Sequence, residues 1–484
     1  MERHILQYNR DSFRAASESP CGHGIVHDAL SYTSLSSESE SILSGMLPPE
    51  LLGDDVYLRE SLASFAIPDQ VTQHGAIPSD ISAADVLGCF KGWKESTSTS
   101  PSGRHLGHYK ALIQHPILLQ CFVQFMNIVV VRGIAILRWC HATNVMIKMY
   151  PGKPCIHRLR IIHLFEADYN FFLKLQWRHR LVRHAISLDL LHDSQHGSIP
   201  KRTAMDPIML TQLTTDLCRI LRHDLARFDN DASVCYDRII VALGMLAARR
   251  CGMPKNAIRL LAEALQFMRY TVKTIYGVSE SNYSGTIFEP LFSTGQGSGA
   301  SPAVWLSLIV ILLHTFDRMV PHRMNFVPIA GGRAHPRSSG AFVDDTSVGF
   351  TSSDDSSYED LISRLEHVAQ SWEKLLHLSG GKLNLNKCSY FILRWEWQSG
   401  RPVLRKTLPS DRTLSLKQGQ QDTTIPIRQT QPLEALRMLG VLLNPQGDFT
   451  DHLKSLKDKA HTFARRLMLP RLTETDISIF HRSI

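Results

Sequence analysis

The sequence predicts an α+β fold, and three observations predict it. Two segments read as β-hairpins: 340–350, Gly-Ala-Phe-Val-Asp-Asp-Thr-Ser-Val-Gly-Phe, and 144–164, which turns at Pro151-Gly152. Four segments, 205–225, 254–270, 302–319 and 357–378, read as apolar or amphipathic helices. Further strand-like stretches follow at 271–292, after Gly380 and at 436–443.

At 484 residues the chain can bury a large core and has room for two to four domains or subdomains. A hydrophobic fraction of 43% with 20% charged residues is the balance of a globular protein. The formal charge of +8 favours a polyanionic partner. The nine cysteines form no CxxC, which argues against a zinc knuckle or a disulfide framework and suits a reducing intracellular compartment. No charged start leads into an apolar core, so no secretory signal is expected. Segment 117–140 is interrupted by Gln120, Gln124, Asn127 and Arg132, and the run 302–313 is too short to span a bilayer. Both read as buried helices, and no membrane partner is expected.

In chain order, residues 1–50 are rich in Ser, Glu, Gly and His with little periodicity, and a flexible leader is expected as far as residue 75. A helix through Val86, Leu87 and Phe90 follows, capped by Ser82 or Asp80. The loop 100–110 carries Arg104, His105, His108 and Lys110, either as a solvated turn or as a contact to a nucleic-acid backbone. On the 144–164 hairpin, Lys148 and Lys153 sit on one arm or at the turn, and Arg158 and Arg160 share a face of the other. Such cations could clamp a triphosphate; the alternative is a wet basic sheet face. A basic helical stretch with Lys174, Arg178, Arg180 and Arg183 precedes helix 205–225, whose apolar stripe is Ile208, Leu213, Leu217, Ile220 and Leu221.

The chemistry centres on Asp344 and Asp345 at the tip of the 340–350 hairpin. Adjacent like charges are unfavourable unless they share a cation, and a hard ion such as Mg²⁺ chooses carboxylate oxygen. Two-metal phosphoryl transfer needs acids converging from several segments. The stretch 225–239 supplies another: Asp229 and Asp231 point to one side of a short strand, and either could reach a metal. Asp237 reads as the N-cap of a helix through Ile239, Ile240 and Leu243. The segment 293–302 carries three glycines that let a strand approach closely, with Gln296 as donor and acceptor, and it opens a helix whose N-terminus favours a phosphate. After the core helix 357–378, Gly380 gives way to a strand carrying Lys382 and Lys387. Residues 400–430 read as a polar insertion, 436–443 as a single short strand, and 451–471 as a basic helix.

Taken in order, segments over about residues 80–445 resemble reverse transcriptases, most closely the polymerase domain of non-LTR retrotransposons. Arg158-Leu-Arg-Ile-Ile-His-Leu164 is similar to the fingers motif R-P-I-x-L, with Arg160 at its arginine and Ile161 in place of its proline. Asp231-Ala-Ser-Val-Cys-Tyr-Asp237 is similar to D-x-x-x-A-F-D. Gly295 to Pro302 resembles G-x-x-Q-G-x-x-x-S-P with two residues fewer before the Gln, and Phe342-Val-Asp-Asp345 resembles Y/F-x-D-D. Gly380 to Lys387 and Leu439-Gly-Val441 are similar to the G-[LG]-K-x-N-x-x-K and primer-grip L-G-V segments. The order of these motifs carries more weight than any one of them.

The resemblance implies a right-hand polymerase with an antiparallel palm sheet packed on helices. Fingers and the start of the palm would occupy 76–225, the palm 226–395, an insertion and a primer-grip-like strand 396–445, and the start of an incomplete thumb 446–484. It implies RNA-directed DNA synthesis by two Mg²⁺ ions, with Mn²⁺ as a substitute, on an RNA (or DNA) template with a DNA primer and dNTPs. Asp231, Asp344 and Asp345 would be the catalytic ligands with the carbonyl of Ala232, and Asp229 the rival ligand. Arg160 with Lys148 or Lys153 would bind the β/γ-phosphates. Tyr236 would exclude a ribose hydroxyl, Gln296 and Gly297 would shape the nucleotide pocket, and Lys387 would protonate pyrophosphate. The rival readings are an inactive nucleic-acid-binding remnant with the same fold, and an RNA-directed RNA polymerase, which a bulky Tyr236 disfavours.

Overall fold

The chain folds around two five-stranded sheets, seen in a computed structural model that describes residues 2–468 apart from 52, 99, 150–151, 153–154, 233–234, 327–334 and 354–355. Eight helices come first: α1 (Glu2–Arg14), α2 (Gly24–Leu30), α3 (Ser37–Leu43), α4 (Val56–Ala63), α5 (Asp69–His74), α6 (Ala83–Gly92), α7 (Leu106–Leu112) and α8 (Pro116–Arg132). Strands β1 (His141–Lys148) and β2 (Leu159–Leu164) lead to α9 (Ala167–Leu173), a π-helical stretch (Lys174–Leu181), α10 (Val182–Ser187) and α11 (Met205–Leu221). Next are β3 (Asp224–Asn230), α12 (Val241–Arg250), α13 (Lys255–Gln266), β4 (Arg269–Thr274), β5 (Gly277–Val278), β6 (Tyr283–Ser284) and α14 (Ser301–Met319). Strands β7 (Met324–Phe326), β8 (His335–Arg337), β9 (Ser339–Phe342) and β10 (Asp345–Ser352) precede α15 (Tyr358–Leu378) and β11 (Ser389–Leu393). Beyond them lie the hairpins β12–β13 (Trp395–Gln398, Arg401–Leu404) and β14–β15 (Ser415–Lys417, Thr424–Pro426) and the short strand β16 (Arg428–Gln429). The hairpin β17–β18 (Leu436–Met438, Val441–Leu443) and α16 (Thr450–Met468) complete the described chain.

One sheet runs β16-β11-β3-β10-β9, antiparallel except where β16 joins β11. The other runs β2-β1-β4-β5 with β6 also on β4, and its β1–β4 pairing is parallel. Helix α15 packs on β3 and β10, and α14 lies between α15 and α12. Leu308, Ile309, Leu313 and Phe316 of α14 are buried, each worth roughly 1.5–3 kcal/mol over an exposed position. This helix is long and apolar enough to cross a membrane by length and composition, and here most of it is enclosed by the core. Ser82 caps α6 with a full capping box through Asp85, which settles the choice between Ser82 and Asp80.

Several expectations are corrected. Residues 2–74 are no flexible leader: Phe13, Leu30, Ile42 and Leu62 enter the main core. The serines that masked this segment as low-complexity make buried bonds, Ser34 Oγ to Ala242 O at 2.6 Å and Ser19 Oγ to Leu378 O at 2.8 Å. Hydroxyls of this kind tie short helices to neighbours without any hydrophobic periodicity. Helix α8 is buried on one face only, with Ile117, Ile128 and Val131 exposed. On α11 the stripe is split, Ile208 buried but Leu213, Ile220 and Leu221 exposed. Helix α13 stops at Gln266, and Tyr270 already belongs to β4. Lys382 and Lys387 precede β11 in a loop, and 436–443 is a hairpin turning at Leu439-Gly440. The 400–430 region buries Leu414, Leu416 and Ile427, and β14 packs on α15.

Candidate active site

Register brings the acids together. Thr346 pairs with Asn230 and Ser347 with Asp229 across β10 and β3, so one step further Asp345 lies beside Asp231. Phe342 pairs with Asp345, which leaves Val343 and Asp344 as a two-residue turn. Val343 takes a left-handed backbone, φ +61°, which costs a β-branched residue roughly 1–2 kcal/mol. Three contacts hold it there. The Trp305 indole N–H donates to Val343 O at 2.6 Å. Segment 194–196 bonds both polar groups of Ala341, at 2.8 and 2.9 Å. Gly197 passes so close that a Cβ would stand 2.3 Å from Val343 N.

Two cavities meet at this point. The larger, ≈ 920 Å³, is lined by Arg160, Asp231, Ala232, Tyr236, Asp344 and Lys387 together with Gln296 and Gly297. The smaller, ≈ 280 Å³, holds Asp345 and Asp229 and is walled by β17–β18 and α11. Asp231 and Lys387 line both, with Lys387 Nζ 3.5 Å from Asp231 Oδ2. Asp344 and Asp345 thus face opposite sides of the strand end. Lys148 is exposed at the end of β1 opposite Leu159 and lines neither cavity. Lys153 lies outside the described residues, as do Ser233 and Val234 between Asp231 and Tyr236.

The glycine-rich loop is pinned beside Arg160. His163 N–H of β2 donates to Gln296 O at 2.6 Å. Gly297 has φ +111° and passes so near that a Cβ would stand 2.4 Å from His163 O. Asn170 clamps the same loop, accepting from Gly299 N–H at 2.6 Å and donating to Gly297 O at 3.2 Å. Opposite, Asn384 N–H donates to Asp231 O at 2.8 Å, and Leu383 bridges to Ala232. The loop before β11 therefore fixes the backbone at the first acid.

The charges are unbalanced. Burial raises the pKa of Asp344 and the charge of Asp231 adds to it, against a backbone hydrogen bond and Arg160. Asp345 is pushed up to about 6 by desolvation and then by Asp344, Asp231 and Asp229, with Lys387 opposing. Asp229, the rival ligand, is engaged by Arg227, whose Nη2 is 2.5 Å and Nε 2.7 Å from its Oδ1. That leaves Asp231 as the acid presented to the larger cavity.

An all-oxygen set of mutually repelling carboxylates fits a hard divalent cation in donor chemistry. Among the described residues, no three His, Cys, Asp or Glu side chains are gathered as a ligand cage.

Sequence reasoning misplaced Asp237. The α12 N-cap is Ile240 with no side-chain cap bond, and Asp237 lies in a 3₁₀ turn on the cleft wall, almost fully buried. Burial lifts its carboxyl to about 7 despite the pull of Arg160 and a hydrogen bond from Ser293. Its Oδ1 has no hydrogen-bond partner among the described residues. The available signal was its setting: an acid between Tyr236 and the apolar Ile239-Ile240 is placed for burial. Tyr8 and Ser12 of α1 also line the larger cavity, from the segment read as a leader. No family model matches the chain, and no curated protein matches it closely enough to count as a relative.

Proposed function

We propose that this chain is an RNA-directed DNA polymerase of the reverse-transcriptase type, with a right-hand arrangement of fingers and palm. The observation that carries the reading is the meeting of Asp231 and Asp344, distant in sequence, in one cleft with Arg160, Tyr236 and Gln296. The ordered motifs supply the expectation that these side chains act together. The paired sheet ends supply a reason for them to meet.

In this reading Asp231, Asp344 and Asp345, with the Ala232 carbonyl, hold Mg²⁺ (or Mn²⁺). When bound, the ions lower the pKa of a primer 3′-hydroxyl and neutralise the leaving pyrophosphate. Arg160 receives the β/γ-phosphates with its guanidinium fork. Gln296 and Gly297 form the floor under the incoming base pair, a place where the pinned loop leaves no room for side-chain drift. Tyr236, on the cleft wall, would exclude a ribose 2′-hydroxyl, which favours dNTPs. Lys387, whose Nζ is 3.5 Å from Asp231 Oδ2, would donate a proton to pyrophosphate. The net positive chain tracks the template backbone without reading its sequence.

The test is Mg²⁺-dependent extension of a DNA primer on a homopolymeric RNA template, comparing dNTPs with rNTPs. Extension with dNTPs supports the reading. Preference for rNTPs points to RNA synthesis, and binding without extension points to the second reading. That second reading is a nucleic-acid-binding chain without catalysis.

A further inference from the structure

A second charged cavity lies at the far end of α14. Ser301 and Pro302, at the start of that helix, line the acidic cleft. His314, Asp317 and Arg318, at its end, line a separate cavity of ≈ 650 Å³ together with Ser64, Arg250 and Arg323. At 1.5 Å per residue the two sites are about 20 Å apart.

Three guanidinium groups meet there from three elements: the end of α12, the end of α14 and the approach to β7. Backbone and hydroxyl oxygens hold them in place. Arg250 Nε donates to Ser64 O at 3.0 Å. Arg318 Nη2 donates to Glu60 O at 2.8 Å and to Ser64 Oγ at 2.6 Å, with Glu60 Oε2 3.8 Å away. Arg323 donates to the backbone carbonyl of Asp317. Carbonyl partners orient a guanidinium without cancelling its charge.

The lining acid, Asp317, is already engaged. Its Oδ2 is 3.1 Å from His192 Nε2, and its Oδ1 accepts the Ser338 hydroxyl. Arg250 Nη1 is buried with no hydrogen-bond partner among the described residues, a costly state for a charged donor. Burial, followed by the charges of His192 and Arg250, pushes His314 down to about 4, so its ring is neutral near pH 7. The cavity therefore offers convergent donors with a deficit of negative charge.

A planar carboxylate satisfies one guanidinium fork, whereas a tetrahedral group presents oxygens toward several forks at once. We propose that this cavity is a binding site for a phosphate group, held by Arg250, Arg318 and Arg323. Free phosphate and a nucleic-acid backbone share this chemistry. The site draws no residue from the acidic cleft and stands whether or not that cleft polymerises nucleotides.

The test uses the full chain and two probes, inorganic phosphate followed by ³¹P line broadening and a fluorescein-labelled oligothymidylate followed by anisotropy. The variant is R250Q/R323Q, with far-UV circular dichroism as the folding control. If that pair does not fold, R323Q alone replaces it, because this side chain is only half-buried at the cavity edge. The expected result is about tenfold weaker binding of at least one probe, the size of one charged hydrogen bond, with partial recovery in R250K/R323K, which restores the charges but not the forks. Loss confined to inorganic phosphate identifies a free-phosphate site. Loss confined to the oligonucleotide, with a salt slope reduced by about 1 per lost contact, identifies a backbone site. Equal binding of both probes by wild type and variant, or binding of neither by wild type, overturns the proposal.

Discussion

The Trp305 indole N–H meets the carbonyl of Val343 at 2.6 Å, so a helix largely enclosed by the core grips the turn that carries Asp344. Trp305→Phe removes the donor and one ring of a buried indole, leaving that carbonyl without the bond and a cavity beside it. The expected loss is about 2–4 kcal/mol of stability, read as a lower urea midpoint at unchanged m-value. Extension should fall with it, because the left-handed Val343 no longer has its anchor. An unchanged midpoint would show that Gly197 and segment 194–196 suffice.

Asp344→Asn and Asp231→Asn should each reduce Mg²⁺-dependent extension by about 10³-fold or more, the size of losing a metal ligand, while template binding stays near wild type. Asp229→Asn should cost far less, since Arg227 already engages that carboxylate. Parallel extension and filter-binding assays on the three variants decide the assignment. Equal losses at 229 and 231 would make Asp229 a ligand after all.

Tyr236→Ala should admit rNTPs. The aromatic side chain lines the cleft beside Asp231 and Gln296, and its removal opens the volume a 2′-hydroxyl requires. The ratio of dNTP to rNTP incorporation should fall by at least about tenfold, a few contacts' worth of steric exclusion. Unchanged sugar discrimination would move the gate elsewhere.

Asp237 gives the pH prediction. Its folded pKa, about 7, lies above the unfolded value for an aspartate. Between those values the native state holds the extra proton, so this group's contribution to stability falls as pH rises from about 4 to 7, by up to about 1.4 kcal/mol per unit. It then stays low above that range. Asp237→Asn should flatten this fall and make the protein more stable than wild type at pH 8. Denaturant midpoints measured at pH 5 and pH 8 check both signs.

Much of the α+β layout was legible because it rests on local periodicity: α14, α15, the β9–β10 hairpin and the β1–β2 hairpin all follow their patterns. Asp344 and Asp345 stand out as adjacent acids, whereas Asp231 is preferred to Asp229 only through the resemblance to D-x-x-x-A-F-D; the structure brings Asp231 and Asp344 to one cavity. Arg227 stands two residues from Asp229 on one face of β3, so alternation carries a signal for that ion pair. What was not legible depends on distant partners. Nothing in the Ser-rich stretch says that Ser34 will meet the Ala242 carbonyl, 208 residues away. Asp237 misled because a cap and a buried acid share the same local neighbours, and only the strands β2 and β4 around it distinguish them.

Helix α1 shapes how this protein can be made. Its Arg10 and Arg14 pair with Glu289, each at 2.9 Å, and Phe292 N–H donates to Phe13 O at 2.7 Å. During translation at ~5–20 residues per second, that helix leaves the ribosome roughly a quarter-minute to a minute before its partners exist. Until then Phe13, whose ring packs on His163, Tyr270 and Tyr283, lacks its backbone partner and α1 its ion pairs. Ribosome-bound intermediates halted before residue 289 should therefore be strong clients for hydrophobic-segment chaperones, and release should coincide with emergence of residues 289–292.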